Sequence, residues 1–254
     1  MTTVATVAFC FGFLLVAGAG IFLLLIIADL RALWILHRLR PSPVGTRGRV
    51  AIEGTTEYSE AGRQIGPVTG EDCTWYRVTL FKMRISSFVT SDDHEPEVIL
   101  KAESPAWPAL ADKNRRIPVH PRLVTPRDTV NDPFMSGASV YQVTDVSYDR
   151  ADPVPLPPIV PASVIAGLRK SERLHLTETR VPRGLPVFAM GRVTNRGLLP
   201  NRTGLTVFTT DSRAAIIADR RDAVRTGRLA ALWLTVIGLA LAVPSTLYLI
   251  AQPG

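Results

Sequence analysis

The stretch AFCFGFLLVAGAGIFLLLII (residues 8–27) decides the architecture. It supplies the roughly 20 apolar residues that an α-helix needs to cross a hydrocarbon core. The uncharged region around it is wider, because residues 2–28 contain no Asp, Glu, Lys or Arg. The other end repeats the pattern: residues 229–254 are uncharged, with LAALWLTVIGLALAVPSTLYLI (229–250) as a second apolar run. Every charged side chain therefore lies between Asp29 and Arg228. The sequence predicts an α+β membrane protein. Transmembrane helices at 4–28 and 229–250, with juxtamembrane segments at 29–43 and 212–228, bracket a mainly β domain at 44–211 that holds one or two helices.

A cleaved signal peptide would need a basic start, an apolar stretch of about 7–15 residues and a small-residue cleavage site. Here no Lys or Arg precedes the run, and it continues into ADLRALWILHRLRP. A buried core helix is disfavoured for the second run, since more than about 18 consecutive apolar residues normally span. Pro244 lies inside it, which spanning helices tolerate.

Arginine flanks the inner ends of both runs: Arg31, Arg38, Arg40, Arg47 and Arg49 after the first, Arg220, Arg221, Arg225 and Arg228 before the second. Lys and Arg near a span favour the cytoplasmic side. Both termini are thus expected outside and the central domain in the cytoplasm, in a bacterial inner membrane. The formal charge of +7 is densest at these flanks, so the lipid bilayer is the expected partner, with Arg38, Arg40, Arg220, Arg221, Arg225 and Arg228 contacting headgroups. Nucleic acid is not, because no run of basic residues interleaved with aromatics occurs in the interior.

Cys10 and Cys73 are the two cysteines. One lies in a span and the other in the central domain, so no disulfide is expected between them, and a cysteine-based zinc site lacks ligands. His37, His94, His120 and His175 show no paired spacing. The acidic cluster SDDHEPE (91–97) has consecutive rather than alternating carboxylates and reads as a solvated loop. No GxSxG, Walker-type loop or GxGxxG occurs, and no cofactor is expected. Cys73 is the one weak catalytic candidate. It could act as a nucleophile only beside a base, and a small apolar residue starting a strand is more often buried.

Between the spans, DLRALWILHRLR (29–40) extends the first helix until Pro41 and Pro43, with Trp34 at headgroup level. Strand patterns follow at 47–58, 73–90, 97–104, 116–124 and 139–148. RADPVPLPPIVP (150–161) reads as a stiff surface connector leading into a helix over 161–175. Strands resume at 174–181, 185–193 and 204–210. Asp211 or Ser212 then offers an N-cap to one long helix running into the second span.

The order of these elements resembles the GIDE, or BAM ("beside a membrane"), family, known from the mitochondrial-anchored ubiquitin/SUMO ligase and from bacteria. RGRVAIEGTTEY (47–58) resembles the opening of its domain, PVTGEDCTWYRV (67–78) its "sPltG..C.wYr" segment, and LADKNRRIPVHPRLV (110–124) a later stretch. LTETRVPRGLPVFAMGRV (176–193) and GLTVFTTDSRAAIIADRRD (204–222) resemble its close before the second span. The matched positions are Gly48, Gly54, Pro67, Gly70, Cys73, Tyr76, Arg77, Asp112, Glu178, Gly184 and Gly191. Most of them read as fold determinants. The ligase acts through a RING domain after its second span; this sequence ends four residues past Ile250 with no cysteine for one, so ligase activity, which the family label carries, is not expected.

The resemblance implies a membrane-anchored adaptor or sensor that binds a protein partner, for instance a LemA-like membrane protein, without ligase chemistry of its own. Two alternatives stay open: an enzyme with an unrecognised site near Cys73, Tyr76 and Arg77, and a reader of anionic lipid surfaces.

Overall fold

The structure is a computed structural model describing residues 2–84, 96–113, 115–125, 139–202 and 205–251. Most of the acidic stretch, 91–95 with His94, lies outside the described residues. In chain order the elements are α1 (Thr2–Arg38), β1 (Gly48–Glu57), β2 (Gln64–Ile65), β3 (Asp72–Cys73), β4 (Trp75–Arg84), β5 (Glu97–Glu103), β6 (Ala109–Ala111), β7 (Arg116–Pro118), α2 (Pro121–Val124), β8 (Gln142–Tyr148), α3 (Ala162–Ala166), β9 (Glu172–Val181), β10 (Pro186–Thr194), β11 (Gly197–Leu199), β12 (Val207–Thr209) and α4 (Arg213–Ala251). The chain is α+β. Two long apolar helices flank a β-rich region, and contacts divide the whole into a helical unit and a unit over Pro41–Ser212.

In the helical unit α1 and α4 pack antiparallel. Both are long and apolar enough to cross a membrane, and only 17% of the most apolar window of each is buried. A soluble protein's core helix would be mostly covered; here Phe13, Leu24, Trp233 and Leu247 are each more than half exposed. The two backbones touch where side chains vanish: a Cβ on Gly12 would sit 2.7 Å from the Gly238 carbonyl, and one on Gly238 2.8 Å from the Gly12 carbonyl. Small residues at a crossing allow this approach, which is how helices gain packing in lipid, where tails are as apolar as leucine. Ile26, Leu33 and Val224 form the buried seam nearer the charged ends. Pro244 sits inside α4 without ending it; just beyond it the hydroxyls of Ser245 and Thr246 donate to the carbonyls of Leu241 and Ala242, at 2.7 and 2.8 Å.

The β unit has two sheets of size and two cores. The larger sheet runs β11-β10-β1-β6-β7, with β12 also on β10. A bridge from Val119 to Leu198, with the His120 N–H donating to the Leu198 carbonyl at 2.9 Å, brings its ends together. Inside lie Val50, Ile52, Leu110, Val119, Leu198 and Phe208. The second sheet runs β5-β4-β9-β8. Its long ladder, from Trp75↔Val181 to Arg84↔Glu172, serves both cores. Trp75 and Val181 belong to the first; Val78, Leu80, Leu174 and Leu176 belong to the second. Burying side chains of this size contributes roughly 1.5–3 kcal/mol each.

Three expectations change. The Pro-rich segment is a surface connector only in its first half: residues 150–155 are exposed, whereas Leu156, Ile159 and Val160 pack on the second core. The helix expected over 161–175 ends at Ala166, where Gly167 closes it and Leu168 turns into the core. The strand expected over 116–124 stops at Pro118, because Pro121 has no N–H for a ladder and instead begins α2, capped by the His120 side chain.

Candidate functional site

The resemblance-carrying segment is built around a buried carboxylate. Glu178 lies on β9 with no exposed surface. Its oxygens accept from the Val68 N–H at 2.7 Å and the Thr69 hydroxyl at 2.6 Å. They thereby hold GPVTG (66–70) in a turn in which the Gly70 N–H donates to the Gly66 carbonyl at 2.8 Å. A Cβ on Gly66 would fall 2.7 Å from a Glu178 oxygen, and Gly70 has φ +70°, so glycine is required at both. Pro67, Gly70 and Glu178 are thus one structural unit.

Cys73 follows it and is completely buried. Burial, then the nearby carboxylates of Glu178 and Asp72, push its thiol up to about 11. A thiol so placed yields almost no thiolate near neutral pH, which counts against a nucleophile. Asp72 accepts from the Tyr58 hydroxyl and pairs with Arg63; the Tyr58 bond above all holds its carboxyl below the usual range. Arg183 lies over the Tyr58 ring and pairs with Glu57 at 2.7 Å, which lowers Glu57 in turn. Arg180 pairs with Glu71. These pairs tie the turn to β1 and β9.

The other matched positions hold the fold elsewhere. Tyr76 exchanges hydrogen bonds with Ser104, and Arg77 lies over Trp75 and pairs with Glu103 at 3.2 Å. Asp112 accepts from the N–H groups of Val44 and Arg115, both at 2.8 Å. Gly54 and Gly191 lie where the Ala111 and Leu199 carbonyls approach β1 and β10, Gly48 opens β1, and Gly184 turns β9 into β10. Among the described residues, no group of three or more His, Cys, Asp or Glu could hold a metal ion.

A binding-shaped feature lies elsewhere in the β unit. A cavity of about 370 Å³ is lined by Glu60, Trp107, Arg116, Ile117, Pro118 and Arg196. The Trp107 ring lies 4.7 Å from that of His120. Burial, and then the Arg122 charge, keep the His120 imidazole below its ordinary pKa, and its Nδ1 accepts from the Arg122 N–H. Trp and Arg are the side chains that most often anchor protein interfaces. Sequence reasoning missed this cavity because its lining is scattered between residues 59 and 196. The lone aromatic of SPAWP (104–108) was the one local signal.

The six arginines expected at headgroups are not alike. Arg38, Arg40, Arg221, Arg225 and Arg228 are exposed, with Arg38 stacked over Trp34. Arg220 is buried, its guanidinium 2.6 Å from Asp29 across the helix pair. Its charge is taken up inside the pair, and this differs from the expected headgroup contact. Comparison with protein-family models, with curated proteins and with solved structures finds no match.

Proposed function

We propose that this chain is a membrane-anchored adaptor of the GIDE/BAM kind, held by α1 and α4 as a two-pass protein, whose β unit receives a protein partner beside the membrane. The observation that carries the reading is the uncovered apolar surface of both helices, 17% buried in their most apolar windows. Such surface is stable in hydrocarbon and unstable in water. The arginine flanks favour a cytoplasmic β unit with both termini outside, in a bacterial inner membrane. The cavity at Trp107, Arg116 and Arg196 suits an apolar side chain flanked by acidic groups. A LemA-like membrane protein is the partner class that the family resemblance suggests. The competing enzyme reading at Cys73 is disfavoured by the buried thiol.

The test begins with alkaline carbonate extraction of membranes, which leaves an integral protein in the pellet; release into the supernatant would remove the anchoring. Single cysteines at Ser171 and Ser212, in a background without Cys10 and Cys73, are then probed with an impermeant maleimide. Protection until permeabilisation is expected, and labelling of intact cells would reverse the orientation. A photo-crosslinker at position 107 should give one discrete adduct that Arg196→Glu removes; no adduct would sink the partner site.

A further inference from the structure

The helical unit carries a groove of its own. About 510 Å³ in volume, it is lined by Leu30 and Leu33 of α1 and by Arg221, Arg225, Arg228 and Leu229 of α4. Residues 221, 225 and 228 are spaced by four and three, which sets them on one helix face. Among the described residues no carboxylate forms an ion pair with any of the three. Asp29, the acid of α1, is already held by Arg220 at 2.6 Å. The Arg221 guanidinium lies 3.3 Å from the His37 ring nitrogen. Arg225 and Arg228 have no ion-pair partner among the described residues, and Asp219 and Asp222 of α4 are exposed without forming one. Below the guanidinium groups the lining is aliphatic. It is continuous with the uncovered apolar surface of the helices, where Leu30 is 41% and Leu229 52% exposed.

We propose that this groove binds an anionic phospholipid, with the phosphate against Arg225 and Arg228 and the first acyl carbons on Leu30, Leu33 and Leu229. The position is the one such a ligand needs, because the last charged residue of α4 is Arg228 and everything beyond it is uncharged. A guanidinium matches phosphate geometry through paired N–H donors, and basic pockets at the ends of spanning helices attract anionic headgroups. The proposal rests on the reading of α1 and α4 as membrane-spanning. That reading is tested separately by carbonate extraction, so the two can fail independently.

The test uses the full chain, purified in mild detergent containing equal amounts of phosphatidylglycerol and phosphatidylcholine, with retained lipid read by native mass spectrometry. The wild type should retain phosphatidylglycerol over phosphatidylcholine on the order of tenfold. Arg225→Gln with Arg228→Gln should bring the ratio close to parity, while Arg47→Gln with Arg49→Gln should leave it unchanged. Millimolar inorganic phosphate should not displace the lipid, since it offers nothing to the aliphatic lining. No preference in the wild type would overturn the proposal, as expected of a groove that instead takes an acidic helix of another protein. An unchanged ratio in the Arg225/Arg228 variant, or displacement by free phosphate, would overturn it too. Should that variant lose its helical circular dichroism, the wild type decides: about 1 M salt screens the contact and the ratio falls, whereas a ratio indifferent to salt refutes the site.

Discussion

The helix pair and the β unit use the same two features, glycine and a partnered carboxylate, in different ways. In the helix pair Gly12 and Gly238 let two backbones touch, and Asp29 is neutralised by a full countercharge on Arg220. In the β unit Gly66 makes room for a carboxylate, and Glu178 is held by an N–H and a hydroxyl. The first arrangement cancels a buried guanidinium with a carboxylate from the facing helix. The second uses the carboxylate as a template: its two oxygens hold a turn through the Val68 N–H and the Thr69 hydroxyl. The difference teaches that the two units are stabilised by separate means and should fail separately.

The largest effect tests the template. Glu178→Ala strands the Val68 N–H and the Thr69 hydroxyl under a cavity, at a cost of about 4 kcal/mol. It should be read from denaturant unfolding of the full chain followed by tryptophan fluorescence, with the helical signal of α1 and α4 persisting. Simultaneous loss of both would break the comparison. Next comes Asp29→Ala, which leaves Arg220 buried and unpaired and should cost about 3 kcal/mol in thermal melts of the helical signal. Adding Arg220→Leu should recover most of that, and a neutral single variant would show that the pair is not neutralised within the protein. Gly12→Val drives a side chain into the Gly238 carbonyl and should cost about 2 kcal/mol, seen as lost cross-linking between cysteines placed on the facing helices.

Smaller effects come from titration. With the Cys73 thiol raised from 9.0 to about 11, alkylation at pH 8 should be about a hundredfold slower than for an ordinary thiol, measured in a Cys10→Ser background. Because the folded state holds this proton more tightly than the unfolded chain, stability is unaffected below the ordinary thiol range and is lost as pH climbs through about 11. Glu57 and Asp72 have the opposite sign. Their lowered carboxyls add stability at neutral pH that declines as pH falls below the ordinary carboxylate range. Tyr58→Phe should flatten the Asp72 part of that acid limb.

Legibility from sequence differed between the units for physical reasons. The helices were plain because a run of some twenty apolar positions without charge leaves few readings, a spanning helix first among them. The long strands β1, β4, β9 and β10 showed the apolar pattern of half-buried ladders. The short strands β2, β6 and β11 did not, since two or three residues become a strand only through the partner they bond. Pro121 and Gly167 overrode longer patterns around them. In the site, Pro67, Gly70 and Glu178 were singled out by the resemblance, yet nothing in the sequence says that a residue 110 positions later lies beneath the turn, as the Val68–Glu178 bond does. The Arg221, Arg225, Arg228 spacing was readable; the capture of Arg220 by Asp29 was not.

One pairing carries a consequence for synthesis. β1 bonds β10 from Gly48↔Val193 to Thr55↔Pro186, so the first strand of the β unit finds its main neighbour only after nearly the whole unit has been made. At about 5–20 residues per second this leaves Val50 and Ile52 without their partner strand for roughly 7–30 s after they emerge. For that interval a strand whose apolar side chains end fully enclosed lacks its ladder partner, which is when an unpaired strand is most prone to bond the wrong chain.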